Sequence, residues 1–390
     1  MTKVQGILAM LAAVCLFSAE QSWADSQGLL GHWSFDDSDS LGVDMSEQCQ
    51  DGIVTGCEPR PGIHGHAMFA DGDDWIDLTA SNAMETIGEL GQGTLSMWFR
   101  FDRQPGFAEA FPLFYIGTGS GGESSGYCEA EIGHFNSVRN LYFTVLREVN
   151  NSQPAIPLCF KSAQQLEIGQ WYHFVVTVGD DGNAGYLDGV PMSRTFPFGD
   201  KTIKAFFRNV TDRAVCWIGR GFLGSVETDQ YHEGMLDEIM IWDRPIAVEE
   251  VTALYQAGRQ SADLVINDLA STSVIGIASL HGAADGVRSM SYRVDQDSPI
   301  DFDAQLQWAV DVPIPSSGSH VVTIQHESHF GEVIEESLTI VNVDLNGDAI
   351  LDIEDLLLLL ASWSQADGDL DGDEVTGIND LLLLLDSWQV

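Results

Sequence analysis

The sequence predicts a mainly β protein with two β-sandwiches and a small α-helical C-terminal domain. Between about residues 28 and 342, apolar and polar residues alternate with period two in short segments bounded by Gly, Asp and Asn. This is the pattern of antiparallel strands with one buried face. The hydrophobic content of 44% is sufficient for folded cores and does not indicate disorder. The C-terminal segment differs, because it holds an internal repeat in which each copy ends in a run of leucines.

The charge of the chain excludes one class of partner. The 390 residues include 59 Asp and Glu but only 17 Lys and Arg, which gives a net charge of −42. A general nucleic-acid binder needs a basic surface, so we expect no nucleic-acid partner. We attribute most of the charge to an acidic, well-solvated surface and a smaller part to calcium ligation. A chain of this length predicts two or three domains.

The N-terminal residues have the three parts of a secretory signal peptide. Lys3 supplies the charge, an apolar run extends from Gly6 to Phe17, and Ser22-Trp23-Ala24 forms a small-x-small cleavage site. The apolar run is too short to span a membrane, so we expect a protein without a membrane span that is secreted, extracellular or attached to the cell surface. The predicted segments are the signal peptide 1–24, a large β-sandwich 25–260, a smaller β-sandwich 261–342 and the repeat 343–390.

The large sandwich is predicted from strings that alternate with period two, namely Gly31–Asp36, Thr94–Phe101, Leu141–Val145 and Trp171–Val178. A short helix follows over Val248–Tyr255 and closes at Gly258. The many short strands indicate two packed antiparallel sheets. The alternation also predicts that four tryptophans are core residues and not platforms for sugar rings: Trp33, Trp98, Trp171 and Trp242.

Several strings in this segment resemble a known family. They are His32–Asp37, Gly65–Leu78, Trp171–Val178 with Gly185–Gly189, and Gly234–Pro245. Their order and spacing resemble the laminin G-like, concanavalin A-like jelly roll. Members of that family often hold a calcium ion near the first and last strands, and the matching acids here are Asp36 and Asp237. Acids in apolar runs need a cation or a hydrogen-bond network, so hydrogen bonds to loop amides are the alternative to calcium.

Five cysteines remain after the predicted cleavage: Cys49, Cys57, Cys128, Cys159 and Cys216. In an oxidising compartment this number suggests two disulfides and one leftover thiol. We expect Cys49 with Cys57 to close a short loop and Cys128 with Cys159 to join neighbouring strands, which leaves Cys216 unpaired. No Cys-x-x-Cys spacing occurs, so the cysteines predict no zinc site.

No active site is evident in the large sandwich. Glu129 and Glu131 lie at positions i and i+2 of a predicted strand, on one face, with His134 close in sequence. However, the Glu-x-Asp-x-x-Glu arrangement of related glucanases and the His-Glu-x-x-His helix are absent from the sequence. We therefore interpret the pair as structural or surface acids and assign no catalytic residue. We interpret His64 and His66 as turn residues, with ligand contact as the alternative.

Residues 261–342 predict an immunoglobulin- or fibronectin-like β-sandwich, which we expect to act as a spacer. This interpretation depends on pattern alone, since the Cys-Trp-Cys framework of antibody domains is missing. Asp301-Phe302-Asp303 is predicted to be a turn. The alternating strings are Asp263–Ile266, Ser289–Val294, Leu306–Val310, Ser319–Ile324 and Glu335–Val341.

The repeat at 343–390 predicts a pair of calcium-binding loops. The two copies begin 25 residues apart and agree at 13 of 20 aligned positions. A twelve-residue loop with oxygen donors at positions 1, 3, 5, 7, 9 and 12 surrounds Ca²⁺. The predicted donors of the first copy are Asp344, Asn346, Asp348, the carbonyl of Ile350, Asp352 and Asp355. Those of the second copy are Asp369, Asp371, Asp373, the carbonyl of Val375 and Asp380, with a water in place of a side chain at position 9.

Each loop runs into five leucines followed by Ser-Trp. This arrangement resembles the dockerin type I family, an EF-hand-like pair of calcium loops each followed by one helix. The resemblance implies docking to a cohesin-like domain on a scaffold or cell-surface protein. Loop positions 10 and 11, commonly Ser or Thr in that family, are Ile353-Glu354 and Ile378-Asn379 here, so another protein partner is the alternative. Five consecutive leucines cannot all face one small core, and we expect part of them to pack on a partner.

Three functions are compatible with these observations. The first is a secreted, calcium-binding modular protein whose jelly roll binds carbohydrate or glycoprotein and whose tail docks to a partner. The second is a polysaccharide-degrading component, with a glycoside hydrolase or lyase site in the jelly roll. The third is a structural or adhesive surface protein without sugar specificity. The lack of a catalytic constellation favours the first function over the second.

Overall fold

The computed structural model describes residues 27–119, 126–133, 137–147, 155–223, 228–259, 262–267 and 273–388. The predicted signal peptide at 1–24 and His134 lie outside the described residues. Within the ranges given above, no helix is long and apolar enough to cross a membrane.

The large sandwich is built from two eight-stranded antiparallel sheets. Its strands are β1 (Leu29–Trp33), β2 (Ile53–Thr55), β3 (Glu58–Pro61), β4 (His66–Asp71), β5 (Trp75–Asp77), β6 (Gly93–Phe101), β7 (Phe111–Gly117), β8 (Tyr127–Ile132), β9 (Leu141–Arg147), β10 (Ala155–Ser162), β11 (Tyr172–Gly179), β12 (Gly182–Leu187), β13 (Val190–Pro191), β14 (Arg194–Phe198), β15 (Val215–Ile218), β16 (Arg220–Leu223), β17 (Thr228–Tyr231) and β18 (Glu233–Trp242).

The first sheet has the order β13-β12-β11-β6-β18-β4-β3, with β1 also paired to β18. The second sheet has the order β14-β10-β9-β8-β7-β15-β5-β2, and β16 with β17 forms a separate two-stranded ribbon. The strands predicted near 94–101, 141–145 and 171–178 are confirmed as β6, β9 and β11. The first strand ends at Trp33, however, so Asp36 lies in the following loop and not on the strand as predicted.

The main core fills the space between the two sheets, because both present apolar residues there. Phe99 and Phe174 of the first sheet and Phe114 and Phe143 of the second are fully buried in it. Burial of a side chain of this size contributes about 1.5–3 kcal/mol. All four tryptophans predicted to be core residues are buried, which confirms that prediction.

Two helices accompany the large sandwich. α1 (Ala83–Thr86) is a single turn, and α2 (Val248–Arg259) packs Val251 and Leu254 against the outer side of the first sheet. The predicted helix over Val248–Tyr255 therefore continues past Gly258, which was expected to end it. Gly258 is needed for packing, since a Cβ at this position would collide with the indole of Trp98.

The described residues between 262 and 342 form a small sandwich of a three-stranded and a five-stranded sheet, ordered β19-β21-β24 and β20-β26-β25-β22-β23. Its core includes Leu280, Trp308 and Ile324. The predicted turn at Asp301–Asp303 is wrong, because Asp301 lies in β23 and pairs with Ser291 of β22. The strands are β19 (Asp263–Ile266), β20 (Ser273–Val274), β21 (Ile277–Asp285), β22 (Val287–Val294), β23 (Ile300–Phe302), β24 (Gln307–Pro313), β25 (Gly318–Ser328) and β26 (Val333–Asn342).

The small sandwich packs directly on the large one. Phe330, from the loop between β25 and β26, lies 5.8 Å from the ring of Trp98. The neighbouring His329 meets Trp171 edge-on at 5.7 Å, and the guanidinium of Arg259 lies 4.8 Å from the Phe330 ring. The segment predicted to be a spacer is thus in close aromatic contact with the preceding domain.

The C-terminal repeat folds into α3 (Ile353–Ala361) and α4 (Ile378–Asp386). Leu359, Leu370 and Leu384 are fully buried and pack with Val341 and Val343 at the end of β26. Most other leucines of the two runs are partly or largely exposed, as the sequence predicted. The most exposed are Leu357, Leu358, Leu360, Leu382 and Leu385.

The five cysteines of the described residues are all free thiols, so both predicted disulfides are wrong in this structure. Cys128 on β8 and Cys159 on β10 are separated by β9, where they pair with Val145 and Thr144 respectively. Cys128 faces the core, whereas Cys159 faces the opposite side of the sheet and contacts the Thr144 hydroxyl. Cys49 and Cys57 also remain apart, and the Cys57 thiol donates to the carbonyl of Thr55.

Candidate functional site

A row of aromatic rings lies on the outer face of the second sheet, the face that points away from the core. The rings of Tyr115 and Trp217 are directly opposite across β7 and β15 and stack at 5.4 Å with an interplanar angle of 20°. Tyr127 continues the row 6.0 Å from Tyr115 at 22°. Trp75 and Tyr231 form its other end, 5.7 Å apart. We call these five residues the aromatic row.

One end of the aromatic row is accessible to solvent. Tyr115, Tyr127 and Trp217 are buried, whereas Trp75 and Tyr231 are half-buried. The guanidinium of Arg220, on β16, lies over Trp75 at 4.6 Å. The same group is 4.2 Å from the Trp217 ring and donates a 2.9 Å hydrogen bond to Asp229. This end therefore offers aromatic faces beside fixed charged groups.

Glu129 and Glu131 lie on the same outer face, as their spacing predicted, but they are buried. Glu129 pairs with Tyr115 and Thr144 in the centre of the sheet. Burial, followed by the nearby charge of Glu131, raises the pKa of Glu129 well above its usual value. The β16–β17 ribbon covers this carboxyl, since a Cβ at Gly221 would collide with Glu129 Oε1. The pair is therefore buried and not a surface pair.

A second group of polar residues lies where the two sandwiches meet. We call Asp36, His64, Asp237, Glu238 and Asp285 the junction cluster. Asp237 and Glu238 are placed by a bulge of β18 opposite β6, where Glu238 adopts a φ of 50°. The sequence singled out Asp36 and Asp237 as acids and His64 as a turn residue, and the structure adds Glu238 and Asp285.

Within the jelly-roll part of the cluster, the acids contact loop amides and histidines. Asp237 Oδ2 accepts hydrogen bonds from the backbone of Ile63 at 2.7 Å and of His64 at 3.4 Å, which is the alternative that the sequence left open. Glu238 Oε2 lies 2.6 Å from Nε2 of His32. Burial raises the pKa of Asp237 well above its usual value, and the charges of Glu238 and Asp36 raise it further.

His64 lies between the two domains. Its Nδ1 is 3.7 Å from Asp36 Oδ2, and its Nε2 is 3.4 Å from Asp285 Oδ2. The backbone N–H of Gly65 donates a 2.7 Å hydrogen bond to Asp285 Oδ1. Burial alone would lower the pKa of His64, but the hydrogen bond to Asp36 and the charges of Asp285, Asp36 and Glu238 outweigh it and raise this pKa to about 9. His64 thus has a specific electrostatic role beyond the predicted turn.

The donor set of the junction cluster suits a divalent cation but does not match a calcium cage. Ligand atoms of Asp36, His64 and Glu238 all lie within 4.8 Å of one another. Calcium takes oxygen ligands, whereas an imidazole suits zinc and the other transition metals. Calcium at Asp36 and Asp237 therefore stays a prediction.

The two C-terminal loops have matching hydrogen bonds. Asp344 accepts from the backbone of Gly347, Asp348 and Ala349, and Asp369 accepts from Gly372, Asp373 and Glu374 in the same way. At position 6, Ala349 and Glu374 adopt φ values of 61° and 70°, so the sharp turn forms without the glycine of a full EF-hand. The loop therefore keeps its shape in both copies.

The remaining predicted donors surround these loops. Asp355 and Asp380 at position 12 are buried, and each accepts three backbone N–H groups of its own loop. Asp352 caps the start of α3. Asp369, Asp371 and Asp373 bring ligand oxygens within 4.8 Å of one another. Asn346 and Asp348 are held together by a 3.1 Å hydrogen bond, and Ile350 and Val375 have exposed side chains beside the loops.

Comparison with known proteins relates part of the large sandwich to a known family. The family model described as the concanavalin A-like lectin/glucanases superfamily matches residues 70–252. No curated protein sequence matches the chain.

Several solved structures are similar to this chain at low identity, with TM-scores below 0.5. The CBM40 domain of Ruminococcus gnavus IT-sialidase, bound to α2,3 sialyllactose, is 12% identical with a TM-score of 0.39, covering 48% of this chain and 96% of that domain. Domain 4 of the Geobacillus stearothermophilus GH43 extracellular arabinanase AbnA, in complex with arabinotriose, is 18% identical with a TM-score of 0.40, covering 58% and 98%.

Trypanosoma rangeli sialidase is 16% identical with a TM-score of 0.41, covering 61% of this chain and 34% of the sialidase. Likeness at this level carries no information about the ligand of this chain. The match of the family model and the two-sheet architecture agree with the predicted resemblance. Residues 70–252 form a concanavalin A-like jelly-roll domain.

Proposed function

We propose that the jelly roll binds carbohydrate at the half-exposed end of the aromatic row. The observation that carries this proposal is the combination of Trp75 and Tyr231 with the Arg220 guanidinium fixed between them. A sugar ring presents C–H bonds that pack on an aromatic face and hydroxyl groups that bond to charged side chains. Sites of this composition, aromatic with a few fixed polar groups, are typical of small-ligand binding. The description of the matching family, lectin and glucanase, supports the same ligand class.

Binding is favoured over cleavage by the position of the acid pair that the sequence offered as a candidate. A retaining glycosidase places two carboxyls about 5 Å apart on either side of the bond to be broken. Glu129 and Glu131 are instead buried beneath the β16–β17 ribbon. A substrate at Trp75 would not reach them without displacing Gly221. We therefore assign the jelly roll a binding role.

Retention of the full chain on a panel of insoluble polysaccharides tests this proposal. The chain is expected to be retained on at least one of them, and Trp75→Ala and Tyr231→Ala should each weaken that retention at least tenfold. Tyr186→Ala is the matched control, because it also removes a half-buried aromatic residue but lies on the first sheet. Retention that survives both substitutions, or no retention on any glycan, would overturn the proposal. An equal loss of retention in Tyr186→Ala would also overturn the proposal.

We further propose that the C-terminal repeat is a calcium-dependent docking module of an exported protein. Two matched sets of loop carboxylates provide the oxygen donors that Ca²⁺ prefers. The exposed leucines of α3 and α4 provide an apolar surface that a cohesin-like or other protein partner would cover. Residues 1–24 support export, and with it a place outside the cell or at its surface.

A further inference from the structure

We propose that the half-exposed end of the aromatic row accepts neutral glycans and rejects anionic ones, and that Asp229 sets this specificity. The specificity rests on the proposed carbohydrate binding and deepens it. A free guanidinium at Arg220 would attract the carboxylate or sulfate group of an acidic sugar. Asp229 pairs with this guanidinium instead, and further acids lie beside Trp75.

The Arg220 guanidinium is held on several sides. Its central carbon lies 4.6 Å from the ring centre of Trp75, 4.2 Å from that of Trp217 and 5.6 Å from that of Tyr231. Nη2 donates a 2.9 Å hydrogen bond to Asp229 Oδ1. The aromatic faces and the carboxylate together stabilise the cation without a ligand. An anionic sugar would therefore have to compete with Asp229 for a guanidinium that is already paired.

Three acids precede Trp75 closely in the chain. Asp71, Asp73 and Asp74 bring carboxylate oxygens within 4.8 Å of one another. Burial raises the pKa of Asp74, and the charges of Asp71 and Asp73 act in the same direction, against a hydrogen bond from the backbone N–H of Asp71. A ligand that brings another negative charge to Trp75 would be repelled by this group.

Negative charge also predominates around the second ring of the site. Burial raises the pKa of the Tyr231 hydroxyl and the Arg220 guanidinium lowers it, but the charges of Asp229 and Asp73 raise it again. One cation and two acids thus act on this hydroxyl. The excess has the same sign as the net charge of −42 of the whole chain, so the long-range field repels polyanions as well.

A neutral sugar meets these groups without repulsion. An ionised carboxylate only accepts hydrogen bonds, and each sugar hydroxyl can donate one. Asp73 is exposed and the Asp229 side chain is 39% exposed. Both can accept from the hydroxyl groups of a sugar ring that packs on Trp75. Replacing such a hydroxyl by a carboxylate or sulfate exchanges a charge-assisted hydrogen bond for repulsion, so neutral polysaccharides are the class that fits.

Binding of the full chain to matched polysaccharide derivatives tests this specificity. The probes are cellulose, xylan, galactomannan and arabinan coupled to agarose, each as its neutral hydroxyethyl ether and as its anionic carboxymethyl ether. We expect binding to at least one neutral ether and loss of that binding in Trp75→Ala. The anionic ether of the same polysaccharide should bind about tenfold more weakly or worse. Raising NaCl from about 50 mM to about 500 mM should reduce this difference, because salt screens the repulsion between exposed charges.

Asp229→Asn separates the local effect from the charge of the whole chain. The amide keeps the size of the side chain but leaves the Arg220 guanidinium without its carboxylate, so binding to the anionic ether should rise about fivefold or more. Asp180→Asn is the matched control, since Asp180 pairs with Lys204 at 3.1 Å in the turn between β11 and β12 of the first sheet. It changes the net charge equally and should leave binding to both ethers unchanged. Circular dichroism shows whether each variant is folded.

The possible outcomes distinguish the specificity from the proposed function. Equal binding to both ethers that is lost in Trp75→Ala would overturn the neutral specificity and leave carbohydrate binding in place. No rise in folded Asp229→Asn, or an equal rise in Asp180→Asn, would contradict the role of Asp229. No binding to any ether, or binding that survives Trp75→Ala, would overturn the proposed function and the specificity together.

Discussion

The jelly roll and the C-terminal repeat differ in how much of their apolar side chains they bury. Every residue of β7 is buried, because the core covers one face of this strand and the β16–β17 ribbon covers part of the other. In the leucine runs of α3 and α4, by contrast, only Leu359 and Leu384 are buried. The jelly roll is thus stabilised mainly by burial. The stability of the repeat depends more on loop carboxylates that accept hydrogen bonds from backbone N–H groups. It also depends on the calcium ion that we propose these carboxylates bind.

The largest effect is expected from a cavity in the jelly-roll core. Phe114→Ala should lower the free energy of unfolding by about 3–5 kcal/mol, because the side chain is fully buried between the sheets. Urea denaturation of the full chain measures this change. Phe107→Ala is the control, since Phe107 is 85% exposed and its removal should change stability by less than about 0.5 kcal/mol. Similar losses in both variants would contradict the division between core and surface.

A smaller effect, confined to the repeat, is expected from the loop acids. Asp344→Ala with Asp369→Ala removes the acceptors of six backbone N–H groups and two proposed calcium ligands. Helical circular dichroism should fall and calcium binding by the repeat should be lost, while the unfolding of the jelly roll stays unchanged. Asp367→Ala, an exposed acid outside the loops, is the control. Unaltered helicity and calcium affinity in the double variant would refute the loop assignment.

The pH dependence of the free energy of unfolding should also differ between the jelly roll and the repeat. Burial lowers the pKa of His173 to about 3 and that of His232 to about 4. A depressed pKa means that the stabilisation is present above the unfolded-state value near 6.5 and is lost as pH falls. Between pH 7 and pH 5 the jelly roll should lose about 2 kcal/mol for each histidine.

The repeat contains no histidine and should lack this loss in the same interval. His173→Gln should remove the part of this loss that His173 contributes, while the lowered pKa of His232 maintains its own part. His281→Gln, which changes an exposed histidine of the small sandwich, should leave it unchanged. Thermal unfolding at a series of pH values measures both. A flat profile in the unaltered protein would contradict the assignment of neutral, buried histidines.

The smallest effect is expected at the exposed leucines. Leu357 and Leu382 are 58% and 57% exposed, so Leu357→Ala and Leu382→Ala should each change the stability of the repeat by less than about 0.5 kcal/mol. Leu359→Ala is the contrasting variant, because this side chain is fully buried and its removal should cost about 2–5 kcal/mol. Thermal unfolding followed at a helical wavelength compares them. Equal losses would mean that the leucines share one core after all.

The sequence predicted those elements whose signal is local. The alternation of Thr94–Phe101 and the repeat around Asp344 and Asp369 each specify their structure over a dozen residues, and both elements form as expected. Sites assembled from distant segments had no such signal. The aromatic row joins Trp75, Tyr115 and Trp217 across strands whose pairing the sequence did not give. A hint was present in the uninterrupted apolar run of β7, which is typical of a strand covered on both faces.

The same limit explains the errors. Cys128 and Cys159 lie two strands apart, and one residue of offset in register turns their side chains to opposite faces of the sheet, so they do not pair. Glu238 reached the junction cluster through a bulge in β18, and Asp285 through the packing of the second domain. Neither the bulge nor the packing of the two domains produces a recognisable pattern in the neighbouring sequence.

The most direct measurement is glycan retention by the unaltered chain and by Trp75→Ala, each with calcium and with a chelator. We expect the chelator to remove the helical signal of the repeat and to leave retention by the jelly roll intact. We expect Trp75→Ala to lose retention in both conditions. Retention that disappears with the chelator, or persists without Trp75, would contradict a burial-stabilised jelly roll that binds carbohydrate through its aromatic row.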